Sequence, residues 1–318
     1  MCLNALLFAF IWGIGGQIDE DTRKYYDAFL QDIVMGEEVM KKYDVDLLET
    51  YPEPLKIKTS LGTEWNSLFD LSFVPEECKW INWIKTQAPY EVPIGGTFAK
   101  VIVPTIDSIR TNSLVDRLLT NKKHTLLCGS TGTGKSISII NQLNDSFQND
   151  DWTFLSLAFS AQTSANQTQN IIDGSMDRRR KGVWGPKLGK NAIIFVDDLN
   201  MPKKEKYFAQ PPIELLRQWM DYEGWYELIG EKEFRKTVGI TFCAAMQPPG
   251  GVKTITNRYV RHYNVLYVEP YSNESLKTIF GNIMEWTFLA QTRYQFSAGV
   301  KATKDNVVAA TIDTYLEI

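Results

Sequence analysis

Gly129-Ser130-Thr131-Gly132-Thr133-Gly134-Lys135-Ser136 is the stretch on which the reading of this chain turns. It matches G-x-x-x-x-G-K-[ST] at every fixed position. Glycines permit backbone angles that turn successive N–H groups inward around phosphate oxygens. A helix starting near Lys135 aims the positive end of its dipole at the same phosphates. The Lys135 ammonium can reach the β and γ phosphates, and the Ser136 hydroxyl can bind Mg2+. Residues Gly129, Ser130, Thr131, Gly132, Thr133, Gly134, Lys135 and Ser136 are therefore the candidate cradle for ATP or ADP. The surroundings agree: an apolar run, Thr125 to Cys128, precedes the loop, and Ser136 to Phe147 follows with a helical pattern. A glycine-rich turn of no chemical purpose is the plain alternative, and the flanking strand and helix speak against it.

Moving outward, apolar runs alternate with helical patterns from Val101 onward. The runs are Thr153 to Phe159, Ala192 to Val196, Val238 to Ala245 and Val265 to Val268. Asn170 to Arg180 and Pro212 to Tyr222 read as helices, the latter with proline in its first turn. Such alternation predicts an α/β fold, a parallel sheet flanked by helices on both faces. Ala192-Ile193-Ile194-Phe195-Val196-Asp197-Asp198 is a buried strand delivering carboxylates at its C-terminal end, where open α/β sheets bind ligands. Asp197 is placed to hold Mg2+, and Asp198 to act as a base or orient water. Two acidic turn residues after a strand would look the same in isolation. Gln247 follows another apolar strand and can orient the attacking water or touch the γ-phosphate; a loop-capping glutamine is the equal alternative. Arg258 and Arg261 precede the last apolar run. They read either as a solvated pair or as an arginine finger entering a neighbour's site.

The chain has 318 residues, room for two or three domains, with 44% hydrophobic and 23% charged residues. That composition excludes a collagen, a disordered tail and a small disulfide scaffold. Its net charge of −4 gives no global reason to coat nucleic acid or an anionic membrane, so neither is an expected partner. Arg178, Arg179, Arg180 and Lys181 form one basic cluster, read as a solvated helix end. Four cysteines, Cys2, Cys78, Cys128 and Cys243, lack metal-ligand spacing, and with two histidines a zinc site is not expected. The cysteines read as buried thiols.

Met1 to Gly16 is apolar but short for a membrane span, and lacks the basic start and cleavage pattern of a secretory signal. It reads as a buried helix ending at Gly15-Gly16. A second helix follows, capped by Asp19 or Asp21, with Tyr25, Phe29 and Ile33 on one face. A chain beginning inside a packed helix suggests a piece of something longer. Residues 51–100, rich in proline and anchored by Trp65, Trp80 and Trp83, read as an irregular connector with short strands. After Pro270 the chain turns helical. Ser272 and Ser275 mark a start, Leu276, Ile279, Phe280, Ile283 and Met284 form one stripe, and Asp305 to Leu316 is the next helix. The expected division is a helical segment over 1–50, the connector over 51–100, a nucleotide-binding α/β domain over 101–270 and an incomplete helical lid over 271–318.

Several stretches resemble the dynein heavy chain, whose motor is a ring of six AAA+ modules. They are Phe159-Ser160-Ala161-Gln162-Thr163-Ser164-Ala165-Asn166-Gln167-Thr168-Gln169, Arg179-Arg180-Lys181-Gly182-Val183-Trp184-Gly185-Pro186 and Phe195-Val196-Asp197-Asp198-Leu199-Asn200-Met201-Pro202. The last continues through Gln210-Pro211-Pro212-Ile213-Glu214-Leu215-Leu216-Arg217-Gln218-Trp219. The likeness is to the third module of an axonemal heavy chain, with Ile11-Trp12-Gly13-Ile14-Gly15-Gly16 similar to the end of the second. The resemblance implies a P-loop ATPase within a minus-end-directed microtubule motor of the cytoskeleton and ciliary axoneme. This module would bind ATP or ADP with Mg2+ and regulate the main ATPase. It implies neighbouring AAA+ modules, dynein intermediate, light intermediate and light chains, and microtubules as partners of the complete motor. It places Val103 and Pro104 against the adenine. Asp198 stands where an efficient AAA+ hydrolase has glutamate, which implies slow turnover. The rival readings are a stand-alone P-loop ATPase of the remodelling type and a nucleotide-locked structural module.

Overall fold

The computed structural model describes residues 2–35, 61, 65–86, 90, 101–250, 254–290 and 296–317. The chain divides into two units, Met1–Arg110 with Pro270–Ile318, and Thr111–Glu269.

The first unit opens with helices α1 (Cys2–Gly15) and α2 (Glu20–Met35). Leu7, Ile11 and Trp12 of α1 are buried. The helix stops where a Cβ on Gly15 would run into the Phe69 ring. Asp19 caps α2: its Oδ1 accepts the Thr22 N–H at 2.9 Å. The face of α2 that carries Tyr25, Phe29 and Ile33 is not the one buried deepest. Tyr25 is 80% and Phe29 41% exposed, whereas Leu30 and Val34 are buried. Both stripes have helical spacing, and the aliphatic one meets the core. No described helix is long and apolar enough to cross a membrane.

Of residues 51–100, only 61, 65–86 and 90 are described. Strands β1 (Leu71–Val74) and β2 (Lys79–Asn82) form an antiparallel hairpin. Trp12 meets Phe69 edge-on at 5.2 Å and Trp83 at 6.1 Å, and Trp80 lies against Phe73 at 5.3 Å. These indoles pack the hairpin and the helical turn after it against α1. Cys78 is exposed, not a buried thiol, because it occupies the hairpin turn with φ of 54°. Val103 and Pro104 are half-buried in irregular chain just before α3 (Ile106–Thr120), which Thr105 caps through the Ser108 N–H at 3.2 Å.

The second unit carries the sheet. In chain order it holds β3 (Thr125–Gly129), α4 (Lys135–Phe147), β4 (Trp152–Ala158), α5 (Ala165–Gly174), β5 (Asp177–Arg180), β6 (Val183–Gly185) and β7 (Asn191–Asp197). Then follow α6 (Pro211–Tyr222), β8 (Gly224–Tyr226), β9 (Phe234–Thr237), β10 (Ile240–Met246), α7 (Asn257–Val260) and β11 (Asn264–Val268). The main sheet has the order β11-β3-β10-β7-β4, every pair parallel. One face, including Leu126, Ile194, Val196, Phe242 and Ala244, packs with Ile172 of α5 and Ile213, Leu216 and Trp219 of α6. Alternation sends Leu127, Ile193, Phe195, Cys243 and Ala245 to the other face, where they are buried too. Each large apolar side chain so buried contributes about 1.5–3 kcal/mol. The fold is the expected α/β one, a five-stranded parallel sheet flanked by helices.

The stretch Asn170 to Arg180 is not one helix. Ser164 caps α5 by accepting the Gln167 N–H, and the helix ends at Gly174. Asp177–Arg180 instead pairs antiparallel with Val183–Gly185. Gly182, at φ of 72°, supplies the left-handed residue of the turn between them. The basic cluster Arg178 to Lys181 is thus an edge strand and turn, not a helix end. It belongs to a second sheet, β5-β6-β9-β8, with Arg235 stacked over the Trp184 ring at 4.3 Å.

Beyond Pro270, in the first unit, lie α8 (Asn273–Ala290), α9 (Ala298–Ala302) and α10 (Lys304–Glu317). Ser272 Oγ accepts the Ser275 N–H at 3.1 Å, as the sequence suggests. Leu276, Val308 and Ile312 form a small core with Tyr271, Phe280 and Met284.

Candidate nucleotide site

The sheet order places the site. β10 lies between β3 and β7, and all three run the same way. Their C-terminal ends therefore deliver the glycine-rich loop, Gln247 and Asp197 side by side. β3 is buried along its whole length, which fixes the loop's first residue. A Cβ on Gly129 would come within 2.5 Å of the Val268 carbonyl oxygen, so β11 is packed too close for any side chain there. Gly132 and Gly134 have φ of 81° and 71°, the region where glycine pays no steric penalty. Gly134 is the N-cap of α4 and makes no side-chain hydrogen bond to it. The first-turn N–H groups of α4 are left for an outside acceptor at the positive end of the dipole.

Lys135 crosses the loop. Its Nζ donates to the carbonyls of Gly129 (2.9 Å) and Ser130 (2.5 Å) and to Thr133 Oγ1 (3.0 Å). Thr133 Oγ1 donates in turn to the Ser130 carbonyl at 2.9 Å. Burial lowers the Lys135 pKa, opposed by the Asp197 and Asp198 carboxylates nearby. Burial likewise raises the Cys128 thiol, with Lys135 pulling the other way.

Asp197 ends β7, and its Oδ1 accepts the Asp198 N–H at 3.0 Å. Asp198 is exposed and left-handed, with φ of 52°. The turn is pinned on both sides: Phe159 N–H donates to the Asp197 carbonyl and Leu199 N–H to the Ala245 carbonyl, each at 3.0 Å. Lys135, Ser136, Asp197, Asp198 and Gln247 all line one open cleft of about 300 Å³, with Thr131 to Gly134 along its rim. Uncapped N–H groups, a cationic Nζ and hard oxygen donors fit a nucleotide's phosphates. Ser136 and Asp197, on one cleft, are the residues that could hold Mg2+ among those phosphates.

Val103 and Pro104 are not in the unit that carries the loop. Arg258 and Arg261 do not line the cleft. Arg261 Nη2 bonds Asp221 Oδ1 at 2.8 Å, a carboxylate also met by Arg217 at 3.1 Å and His262 at 3.1 Å. Arg258 is exposed, with no side-chain hydrogen bond or ion pair among the described residues. It lines a separate groove of about 570 Å³ with Lys204, Tyr207, Phe208 and Gln210.

Ile137, Ala245 and Met246 line the cleft outside the sequence reading, and the reading named Thr133 without giving its hydroxyl a role. Thr133 sits at a variable position of the motif, so nothing in the pattern singles out its hydroxyl. Ile137 lines the cleft at 59% exposure. It falls off the buried Ile139–Leu143–Phe147 stripe of α4, and that offset was the available signal.

Residues 90–271, more than half of the chain, match the family described as the P-loop containing dynein motor region. Residues 1–85 match the dynein heavy chain AAA lid domain. The chain belongs to the dynein heavy-chain family. Human dynein axonemal heavy chain 1 is 41% identical over 281 residues, 87% of this chain and 6% of that protein. Human dynein axonemal heavy chain 3 is 38% identical over 293 residues, 89% of this chain and 7% of the relative. Mouse dynein axonemal heavy chain 12 is 36% identical over 321 residues, 98% of this chain and 10% of the relative. The chain thus spans a tenth or less of each of these dynein heavy chains. Its P-loop, Asp197 and Gln247 all fall within the stretch matched to the motor region.

Proposed function

We propose that this chain is a nucleotide-binding AAA+ module of an axonemal dynein heavy chain, the third of the ring, and that it holds Mg2+ with ATP or ADP. The observation that carries this reading is the gathering of Lys135, Ser136, Asp197, Asp198 and Gln247 on one cleft at the ends of adjacent parallel strands. Mg2+ supplies charge neutralisation between phosphate oxygens when bound. The first-turn N–H groups of α4 and the Lys135 ammonium bind the phosphates. Asp197 and Ser136 orient the metal. Asp198 draws the proton from the attacking water, and Gln247 positions that water. Turnover is slow, because Asp198 reaches less far than a glutamate, and the module regulates the ring's main ATPase.

Within the complete motor, at the ciliary axoneme and cytoskeleton, the partners are the neighbouring modules, the intermediate, light intermediate and light chains, and microtubules. Arg258 is the trans finger rather than Arg261, since Arg261 is already bound to Asp221. We also assign residues 1–50 to the end of the preceding module, 51–100 to a connector, 101–270 to the nucleotide-binding domain and 271–318 to the start of its lid. The test is equilibrium binding of ADP with and without Mg2+. One site per chain is expected, with the Mg2+ enhancement lost in Asp197→Asn. No saturable binding, or equal enhancement in Asp197→Asn, would overturn the assignment.

A further inference from the structure

An ammonium has three N–H donors and no more. In Lys135 each is already met by an oxygen of the loop: the carbonyls of Gly129 and Ser130 and the hydroxyl of Thr133. A phosphate oxygen can therefore be bound only by a donor released from one of these three. They are not equal. Two are main-chain carbonyls, fixed by the end of a fully buried strand and by the loop geometry. The third is a side-chain hydroxyl. When Thr133 Oγ1 gives up the lysine proton, it keeps its own donation to the Ser130 carbonyl, so no buried donor is stranded. The carbonyl contacts hold the ammonium across the loop's mouth, and the Thr133 contact is the one that can be exchanged.

We propose that Thr133 is a positioning residue for Lys135. Its hydroxyl holds the third ammonium donor inside the loop until a phosphate oxygen displaces it, and nucleotide affinity is set against that internal bond. Thr133 is buried, 8% exposed, so water does not readily replace it as the third acceptor. The half-buried ammonium gains from having every donor met by the loop.

This inference rests on nucleotide binding at the loop, and its test separates the two. The first readout needs no nucleotide: the rate of reductive methylation of Lys135, followed by mass spectrometry of the ligand-free 318-residue chain. Thr133→Val keeps the side-chain volume and removes the hydroxyl. It is expected to raise Lys135 labelling severalfold. The second readout is MgADP affinity, expected to tighten about tenfold, the worth of one hydrogen bond to a charged group. Thr133→Ser restores the hydroxyl and is expected to match wild type in both. Unchanged labelling in Thr133→Val, weaker ADP binding, or an equal shift in Thr133→Ser would overturn the proposal. If the wild-type chain binds no ADP, the labelling comparison still stands and only the nucleotide reading fails.

Discussion

Asp198 holds a backbone conformation that most residues avoid, with φ of 52°. Aspartate and asparagine enter the left-handed region more readily than glutamate, because a short polar side chain can bond locally. The shorter acid at this position therefore suits the turn. If Asp198 acts on water and not on the ground-state phosphates, as proposed, Asp198→Asn should leave MgATP binding nearly intact and slow hydrolysis. Asp198→Glu should extend the reach to water and speed turnover, at a stability cost of about 1–2 kcal/mol. Phosphate release and a thermal melt measure the two effects. Loss of binding in Asp198→Asn with none in Asp197→Asn would mean that their roles are reversed.

His124 makes a second residue-scale case. Its Nδ1 accepts the Phe242 N–H at 3.0 Å, and its ring lies among Trp219, Phe242 and Tyr263. Burial, helped by the positive charges of His262 and Lys123, pushes its pKa down to about 4. The unfolded chain, at about 6.5, binds this proton more readily than the folded one. The neutral histidine therefore costs no stability above pH 6.5, and stability falls as pH drops from 6.5 toward 4. The loss approaches about 3 kcal/mol. Urea unfolding across that range should show the slope, and His124→Asn should flatten it.

At the scale of elements, the three inner parallel strands β3, β7 and β10 were legible because they are buried on both faces and read as unbroken apolar runs. The loop was legible because its chemistry demands fixed residues. The second sheet was not, since Asp177-Arg178-Arg179-Arg180 has no apolar run and becomes a strand only through pairing with Val183–Gly185. Which face of α2 is buried was not legible for a different reason, two stripes of equal spacing with only tertiary contact to choose between them. In the site, Lys135, Asp197 and Gln247 could be placed from strand ends alone. The Thr133 contact could not, because it depends on loop geometry. Gly129 links element and site: Gly129→Ala should push β11 from β3 through the Val268 carbonyl. A loss of about 2–4 kcal/mol in a denaturant melt is expected, the size of other overpacked or strained core changes. A neutral result would mean that the two strand ends yield easily.

At the scale of the molecule, Arg258 faces a groove outside the nucleotide cleft. As a trans finger it would supply transition-state charge stabilisation next door. In a protein carrying this segment and its neighbour, Arg258→Ala should leave ADP affinity at the Lys135 loop unchanged and perturb the neighbouring site. Loss at the Lys135 loop alone would make Arg258 a local ligand. The whole account depends most on the loop itself. Lys135→Ala removes the ammonium, a charge-assisted contact worth about 2–3 kcal/mol to phosphate. Titration of the wild-type chain with a fluorescent ADP should show one saturable site, and the variant should bind at least about thirtyfold more weakly. Equal affinity in the two chains would contradict a phosphate site built around Lys135.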